Sequence, residues 1–147
     1  MHFVSDLMTK NVTTLREDDE LALAEAQMGH LALRHLPVVR DGKLVGLVTH
    51  RDVLKAAAER GSRPAALVLA KEAMKRDVKV VYPETLLREA LDAMVENKWG
   101  CLPVVKSRTD LTLVGIITES DLVRYAREVV RTIDREGRWG PTLPARA

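Results

Sequence analysis

An internal repeat constrains what this chain can fold into more than any other feature of its sequence. Residues 36–39 (Leu-Pro-Val-Val) recur unchanged as residues 102–105, 66 positions later. Residues 46–52 (Gly-Leu-Val-Thr-His-Arg-Asp) recur as residues 115–121 (Gly-Ile-Ile-Thr-Glu-Ser-Asp), 69 positions later. The chain therefore contains two copies of one unit, and its fold must accommodate both.

The three additional residues of the second copy lie between its two matching blocks. The first copy has Asp41-Gly42 here, which is typical of a tight hairpin, whereas the second has a longer segment at residues 106–112. Because the free-energy cost of closing a loop grows slowly with its length, such a connection tolerates an insertion. The length difference therefore supports a hairpin in both copies.

The sequence pattern of each copy predicts a strand, a helix, a hairpin of two strands and a closing helix. The first strands are expected at residues 12–15 and 78–81, and Asp19 and Thr85 are expected to cap the helices that follow. Apolar residues recur at helical spacing after both caps: Leu21, Ala24, Met28 and Leu31 in the first copy, and Leu87, Ala90, Leu91 and Met94 in the second.

The predicted fold class is α/β (α+β), with two tandem βαββα repeats packed as a pseudo-two-fold intramolecular dimer. One copy of about 50 residues would bury too little surface to be stable by itself, whereas two copies can cover each other's sheets and leave clefts where the sheets meet. We expect the first repeat at residues 1–60, a linker at 61–68, the second repeat at 69–127, and a helix end and tail at 128–147.

Composition narrows the possible classes of function. The net charge of +2 and the 3% of aromatic residues make nucleic acid an unlikely partner, since its binding usually needs a basic surface or stacking rings. Neither a signal-peptide pattern nor a run of about 18 apolar residues occurs, so a cytoplasmic protein with no membrane partner is expected. With one cysteine and four histidines that lack ligand spacing, neither a disulfide nor a metal site is expected.

The two blocks, present twice in the same order, carry a family resemblance. The chain resembles a tandem pair of cystathionine-β-synthase (CBS) domains, an arrangement called a Bateman module, over about residues 4 to 127. The resemblance implies binding of adenosine ligands such as AMP, ADP, ATP or S-adenosylmethionine, and pairing of two modules into a homodimer. Modules that it resembles usually regulate an attached enzyme, channel or transporter. Since no such domain is recognised here, we expect a stand-alone module that regulates an unidentified partner protein, with the nucleotide as a ligand and no cofactor required.

The Gly-x-x-Thr-x-x-Asp pattern of each copy suits a nucleotide physically. The residues are Gly46, Thr49 and Asp52 in the first copy, and Gly115, Thr118 and Asp121 in the second. The threonine stands where a strand meets a helix, whose unpaired amides attract phosphate, and the aspartate could accept hydrogen bonds from two ribose hydroxyls. The glycine would let the backbone approach a ligand closely. The alternative is that Thr-x-x-Asp is a capping box, and both roles can hold together.

The residues inside this pattern differ between the copies. His50 and Arg51 lie there in the first copy, and Glu119 and Ser120 in the second. The guanidinium of Arg51 suits phosphate and Ser120 could donate a hydrogen bond, whereas Glu119 would repel phosphate. We therefore predict tighter binding of phosphorylated ligands in the cleft that uses Arg51. The alternative is that Arg51 and Glu119 are ordinary surface charges.

The resemblance also implies where adenine binds. The residues are Val12, Thr13, His35, Leu36 and Pro37 in the first copy, and Val78, Val80, Cys101, Leu102 and Pro103 in the second. An adenine slot needs apolar walls with a few backbone polar groups, which the start of each repeat and the residues around each proline could supply. The alternative is that they are core and strand residues, with Cys101 a buried and unreactive thiol.

The leading interpretation is therefore a sensor of adenosine nucleotides. One alternative is a structural scaffold for protein interactions whose clefts bind nothing. Another is nucleic-acid binding through the C-terminal arginines, which would weaken steeply with salt. Those arginines are Arg131, Arg135, Arg138 and Arg146, and Trp139 between them could instead anchor a partner or dimer contact. An enzyme is not expected, since no set of residues supplies a nucleophile, a base and an oxyanion site together.

Overall fold

The structure is a computed structural model that describes residues 1–64 and 67–137. The first copy contains α1 (Val4–Leu7), β1 (Leu15–Arg16), α2 (Leu21–Leu31), β2 (His35–Arg40), β3 (Lys43–Thr49) and α3 (His50–Glu59). The second contains α4 (Ala70–Ala73), α5 (Leu87–Asn97), β4 (Cys101–Val105), β5 (Leu113–Thr118) and α6 (Glu119–Arg135). This order confirms the predicted α/β class and tandem repeat, with a short opening helix in each copy that the sequence pattern did not indicate.

The strands form two small sheets. In the first, β1 runs parallel to β2, which is antiparallel to β3, and in the second β4 is antiparallel to β5. Both hairpins change register at the same place, between Val38 and Val39 and between Val104 and Val105. The hairpins also meet each other, because the amide of Leu44 donates to the carbonyl of Leu111 at 2.9 Å.

The predicted first strands are mostly not strands. Pairing begins only at Leu15 in the first copy, and in the second Val81 makes a single parallel bridge to Val104. The preceding residues leave the sheet edge because Val12 and Val78 pack between the repeats. They contact a separate apolar cluster formed by Leu47, Cys101 and Ile116.

The prediction that Asp19 and Thr85 cap the following helices is wrong. The carboxylate of Asp19 accepts a hydrogen bond from the amide of Arg16 at 2.7 Å, and the hydroxyl of Thr85 accepts one from the amide of Tyr82 at 3.0 Å. Both side chains therefore close the turn before the helix, which begins two residues later in each copy.

Each copy is completed by the opening segment of the other. The core around Leu36 and Val48 of the first copy includes three residues from the start of the second: Val68, Ala70 and Met74. The core around Leu102 and Ile117 of the second copy includes Val4, with Leu7 and Met8 packed against it. This reciprocal exchange relates the copies by a pseudo-two-fold axis and makes one folding unit of the described residues.

Backbone hydrogen bonds fasten both exchanged segments in the same way. The amide of Leu21 donates to the carbonyl of Val68 at 2.7 Å, and the amide of Leu87 donates to the carbonyl of His2 at 2.9 Å. Further along, Thr9 exchanges two hydrogen bonds with Ile116, and Lys75 exchanges two with Leu47. The opening segments are therefore anchored along their length beside the Gly-x-x-Thr strands.

The closing helices differ in length, with 10 residues in α3 and 17 in α6. α3 ends at Glu59 and is followed by Gly61 with a φ of +60°, and α6 ends at Arg135. Part of the predicted linker, at positions 65 and 66, and the tail residues Arg138, Trp139 and Arg146 lie outside the described residues. Among the helices described, none has the length and apolar character required to cross a bilayer.

Candidate functional site

A cleft of about 690 Å³ lies between the two copies. One wall comes from the first copy: the start of β2, the end of β3 and the first turns of α3. The other comes from the second copy, between residues 75 and 79 and between residues 98 and 103, with Glu119 at the start of α6. A molecule in this cleft would contact both repeats at once.

The first Thr-x-x-Asp motif forms the capping box that was its alternative interpretation. Asp52 Oδ2 accepts hydrogen bonds from the amide and the hydroxyl of Thr49, both at 2.8 Å, and Thr49 Oγ1 accepts from the amide of Asp52 at 3.2 Å. Asp52 is only 9% exposed, and its Oδ1 lies 3.9 Å from Lys75 Nζ, a residue of the cleft wall. One carboxylate oxygen therefore stabilises the helix while the other faces Lys75.

The second Thr-x-x-Asp motif has the same cap but different outer partners. Asp121 Oδ2 accepts from the amide and hydroxyl of Thr118 at 2.9 and 3.1 Å. Its Oδ1 accepts from Thr9 Oγ1 at 2.8 Å and from Arg124 Nη2 at 2.9 Å. Both oxygens of Asp121 are therefore bonded within the protein, so a ribose could reach this carboxylate only by displacing Thr9 and Arg124.

The cleft combines the nucleotide motif of the first copy with the adenine residues of the second. Seven of the predicted site residues line it: His35, Thr49, His50, Arg51, Val78, Cys101 and Pro103. Leu36 and Leu102 are instead buried in the two cores. Outside the lining are Val12, Thr13, Pro37, Gly46, Val80, Gly115, Thr118, Ser120 and Asp121, while Asp52 lies behind Thr49.

Gly46 and Gly115 permit a close approach of protein rather than of a ligand. A Cβ at Gly46 would lie 2.5 Å from Met74 Sδ and 2.9 Å from the carbonyl oxygen of Lys75. At Gly115 it would lie 2.6 Å from Met8 Sδ and 3.1 Å from the carbonyl oxygen of Thr9. Each glycine thus makes room for the opening segment of the other copy, and the expected reason for its presence was wrong.

The sequence analysis missed most of the charge in the cleft. Arg51 was anticipated, but four further cations line the walls: Arg34, Lys75, Lys79 and Lys98. The signal was present in the sequence as a difference between the copies at positions outside the two repeated blocks. Within the described parts of the chain, His, Cys, Asp and Glu residues form no group of three that could hold a metal ion.

Burial alters the acid–base behaviour of two cleft residues. It lowers the pKa of the His35 imidazole, an effect that the nearby Glu119 carboxylate partly opposes. It raises the pKa of the Cys101 thiol to about 12, and Glu119 acts in the same direction. At neutral pH the Cys101 side chain is therefore a protonated thiol and not a nucleophile.

Cys101 is expected to resist alkylation in the folded protein. Thiolate is the reactive form, so a buried thiol with a pKa of about 12 should react negligibly with iodoacetamide at pH 8. Mass spectrometry of the intact protein would count the adducts, with the chain unfolded in urea as the control that must be fully modified. Rapid single modification of the folded protein would show that the thiol is accessible or ionised.

The comparisons with known proteins agree with this architecture. A family model described as the CBS domain matches twice, at residues 4–59 and 70–128. The chain belongs to the CBS-domain family. Its two matched segments correspond to the two structural copies, so the module is a CBS pair and the family expected from the repeat is confirmed.

Solved structures of CBS pairs superpose on most of this chain. An acetoin utilization protein (AcuB) from Vibrio cholerae is 37% identical with a TM-score of 0.82, and covers 96% of this chain and 99% of its own. CBSX2 in complex with AMP is 27% identical with a TM-score of 0.78, and the match covers 89% of this chain and 100% of CBSX2. The CBS domain pair of protein MJ0100 in complex with 5′-methylthioadenosine and S-adenosyl-L-methionine is 25% identical with a TM-score of 0.76. The match covers 88% of this chain and 98% of that structure.

Relatives that are named as enzymes are matched over only part of their length. Homoserine O-acetyltransferase from Methanococcoides burtonii is 37% identical over 122 residues, which is 82% of this chain but 23% of that enzyme. The chain therefore spans about a quarter of that relative. The similarity concerns the CBS pair and carries no information about the catalytic part of the enzyme.

Proposed function

We propose that this CBS pair is a regulatory module that binds an adenosine nucleotide in the cleft beside Asp52 and transmits its occupancy to a partner protein. The observation that carries the proposal is the buried carboxylate of Asp52, oriented through Oδ2 by Thr49 and facing the cleft residue Lys75 through Oδ1. A carboxylate held in this way is prepared to accept ribose hydroxyls without reorganising.

The opposite wall supports the placement of adenine. Val78, Cys101 and Pro103 offer an apolar surface in the same cleft as Thr49. The MJ0100 and CBSX2 structures hold 5′-methylthioadenosine, S-adenosyl-L-methionine and AMP, which share the adenosine group. In this chain we assign adenosine to the space between Asp52 and Val78, and the remainder of the ligand to the charged part of the cleft.

Signalling follows from the position of the cleft. A ligand that contacts both copies stabilises the arrangement it fits best, and so shifts the population of module conformations that a partner meets. We propose a homodimer of modules as the signalling form, acting in the cytoplasm. No catalytic step is assigned to the module, since the enzymes among its relatives extend far beyond the matched region.

The proposal is tested by calorimetric titration of purified protein with AMP, ADP, ATP, S-adenosylmethionine and 5′-methylthioadenosine. We expect saturable binding of at least one of them, with one strong site per chain because Asp121 is already bonded within the protein. If folded protein that carries no copurified nucleotide binds none of these five ligands, the proposal that the module is a nucleotide sensor is wrong. The scaffold alternative would then stand, to be pursued by pull-down of its partner.

A further inference from the structure

We infer that the cleft beside Asp52 selects adenosine nucleotides with two or three phosphates over AMP, S-adenosylmethionine and 5′-methylthioadenosine. This inference rests on the proposed function and names its ligand class. Five cations of the cleft wall carry it: Arg34, Arg51, Lys75, Lys79 and Lys98.

The charge of the cleft is unbalanced. Its five cations face three acidic side chains, Asp77 and Glu119 on the wall and Asp52 behind Thr49, so the cations outnumber the anions by two. Among the described residues, Lys75 is the one of these five cations that lies in an ion pair, and its partner is Asp52 at 3.9 Å. All five cations are exposed, and the converging charges favour an anion that reaches several of them.

The second copy supplies an internal control for the origin of this charge. Each of the five cations aligns with an uncharged residue in the other copy: Gly100, Ser120, Thr9, Thr13 and Ala32, in the same order. Lys98 and Ala32 even share a left-handed conformation after their helices, with φ of 55° and 53°. The fold is therefore built equally well without the charges, and their concentration in one cleft is a property of that cleft and not of the architecture.

The number of cations in the cleft wall indicates the ligand. A nucleoside monophosphate carries about two negative charges at neutral pH, and each added phosphate brings about one more along with further acceptor oxygens. A di- or triphosphate can therefore contact more of the five cations than the single phosphate of AMP can. S-adenosylmethionine carries a sulfonium cation that the same residues would repel, and 5′-methylthioadenosine has no charge for them to attract.

The experiment compares ligands and variants by calorimetry. We expect ADP and ATP to bind the wild-type protein about tenfold more tightly than AMP and about 100-fold more tightly than 5′-methylthioadenosine, since charge-assisted contacts are the strong ones. The variants Arg51→Ser, Lys79→Thr and Lys98→Ala each introduce the residue of the other copy. Each should weaken ATP binding about three- to tenfold and leave 5′-methylthioadenosine binding unchanged.

A matched control is available outside the cleft. Arg88 is exposed on α5 and aligns with Ala22, so Arg88→Ala makes the same kind of exchange and should leave every affinity unchanged. An affinity for ATP no higher than that for AMP or 5′-methylthioadenosine, or an equal loss of ATP affinity in Arg88→Ala, would overturn the inference while leaving adenosine binding established. Failure of all ligands to bind would overturn the proposed function as well, so the two failures are distinguishable.

Discussion

Replacing Asp52 with asparagine is expected to weaken nucleotide binding by about 100-fold, or about 3 kcal/mol, because the lost carboxylate would accept two hydrogen bonds from ribose. The asparagine side chain retains an oxygen that can accept from the Thr49 amide, so the cap of α3 is largely kept. Calorimetry with the ligand that binds wild-type protein best gives the measurement. The unfolding temperature should change little.

The matched variant is Asp121→Asn in the second copy. Both oxygens of Asp121 are bonded to Thr118, Thr9 and Arg124, so its substitution should lower stability while leaving nucleotide affinity within about twofold. The expected pattern is a separation of the two effects, with binding lost in one variant and stability in the other. Equal losses of affinity in both variants would contradict the assignment of the ligand to the cleft beside Asp52.

Gly46→Ala is expected to lower the free energy of unfolding by about 2 kcal/mol, a large effect for one methyl group. The new Cβ would lie 2.9 Å from the carbonyl oxygen of Lys75, which accepts a hydrogen bond from the amide of Leu47. Met74 is flexible and could move its sulfur away, but the backbone of Lys75 is held on both sides by Leu47. The strain therefore cannot be relieved by a side-chain rotation alone.

Gly29→Ala is the matched control for this prediction. Gly29 lies within α2, and a Cβ there would meet no atom within 4 Å. The same chemical change should therefore raise stability by about 0.5–1 kcal/mol, because alanine favours a helix over glycine. Urea unfolding of both variants measures the difference. A neutral Gly46→Ala would show that the opening segment packs more loosely against β3 than the structure indicates.

The sequence predicted the elements that depend on local patterns, and missed those that depend on the other copy. The hairpins, the closing helices and the Thr-x-x-Asp caps follow from residues close together in the chain. The first strands were predicted too long because Val12 and Val78 leave the sheet to pack against the inter-repeat cluster. No local pattern records that contact.

The site was predictable to a similar degree. Thr49 and Arg51, which the motif indicated, line one cleft, and Asp52 lies behind Thr49, whereas their role in binding stays a prediction. The inaccessibility of Asp121 could not be predicted, because Thr9 reaches it from 112 residues away in the chain. The positive charge of the cleft was not predicted either, because its cations come from both copies and meet only in the folded chain.

The exchanged opening segments also set an order for folding during synthesis. The first core needs Val68, Ala70 and Met74, so it can close soon after residue 74 has left the ribosome. The second core needs Val4, which is synthesised before the other residues of that core but finds its place only after Ile117 has been translated. The opening segment of the first copy therefore waits longest for its partners, and its apolar side chains stay exposed to other molecules until nearly the whole module exists.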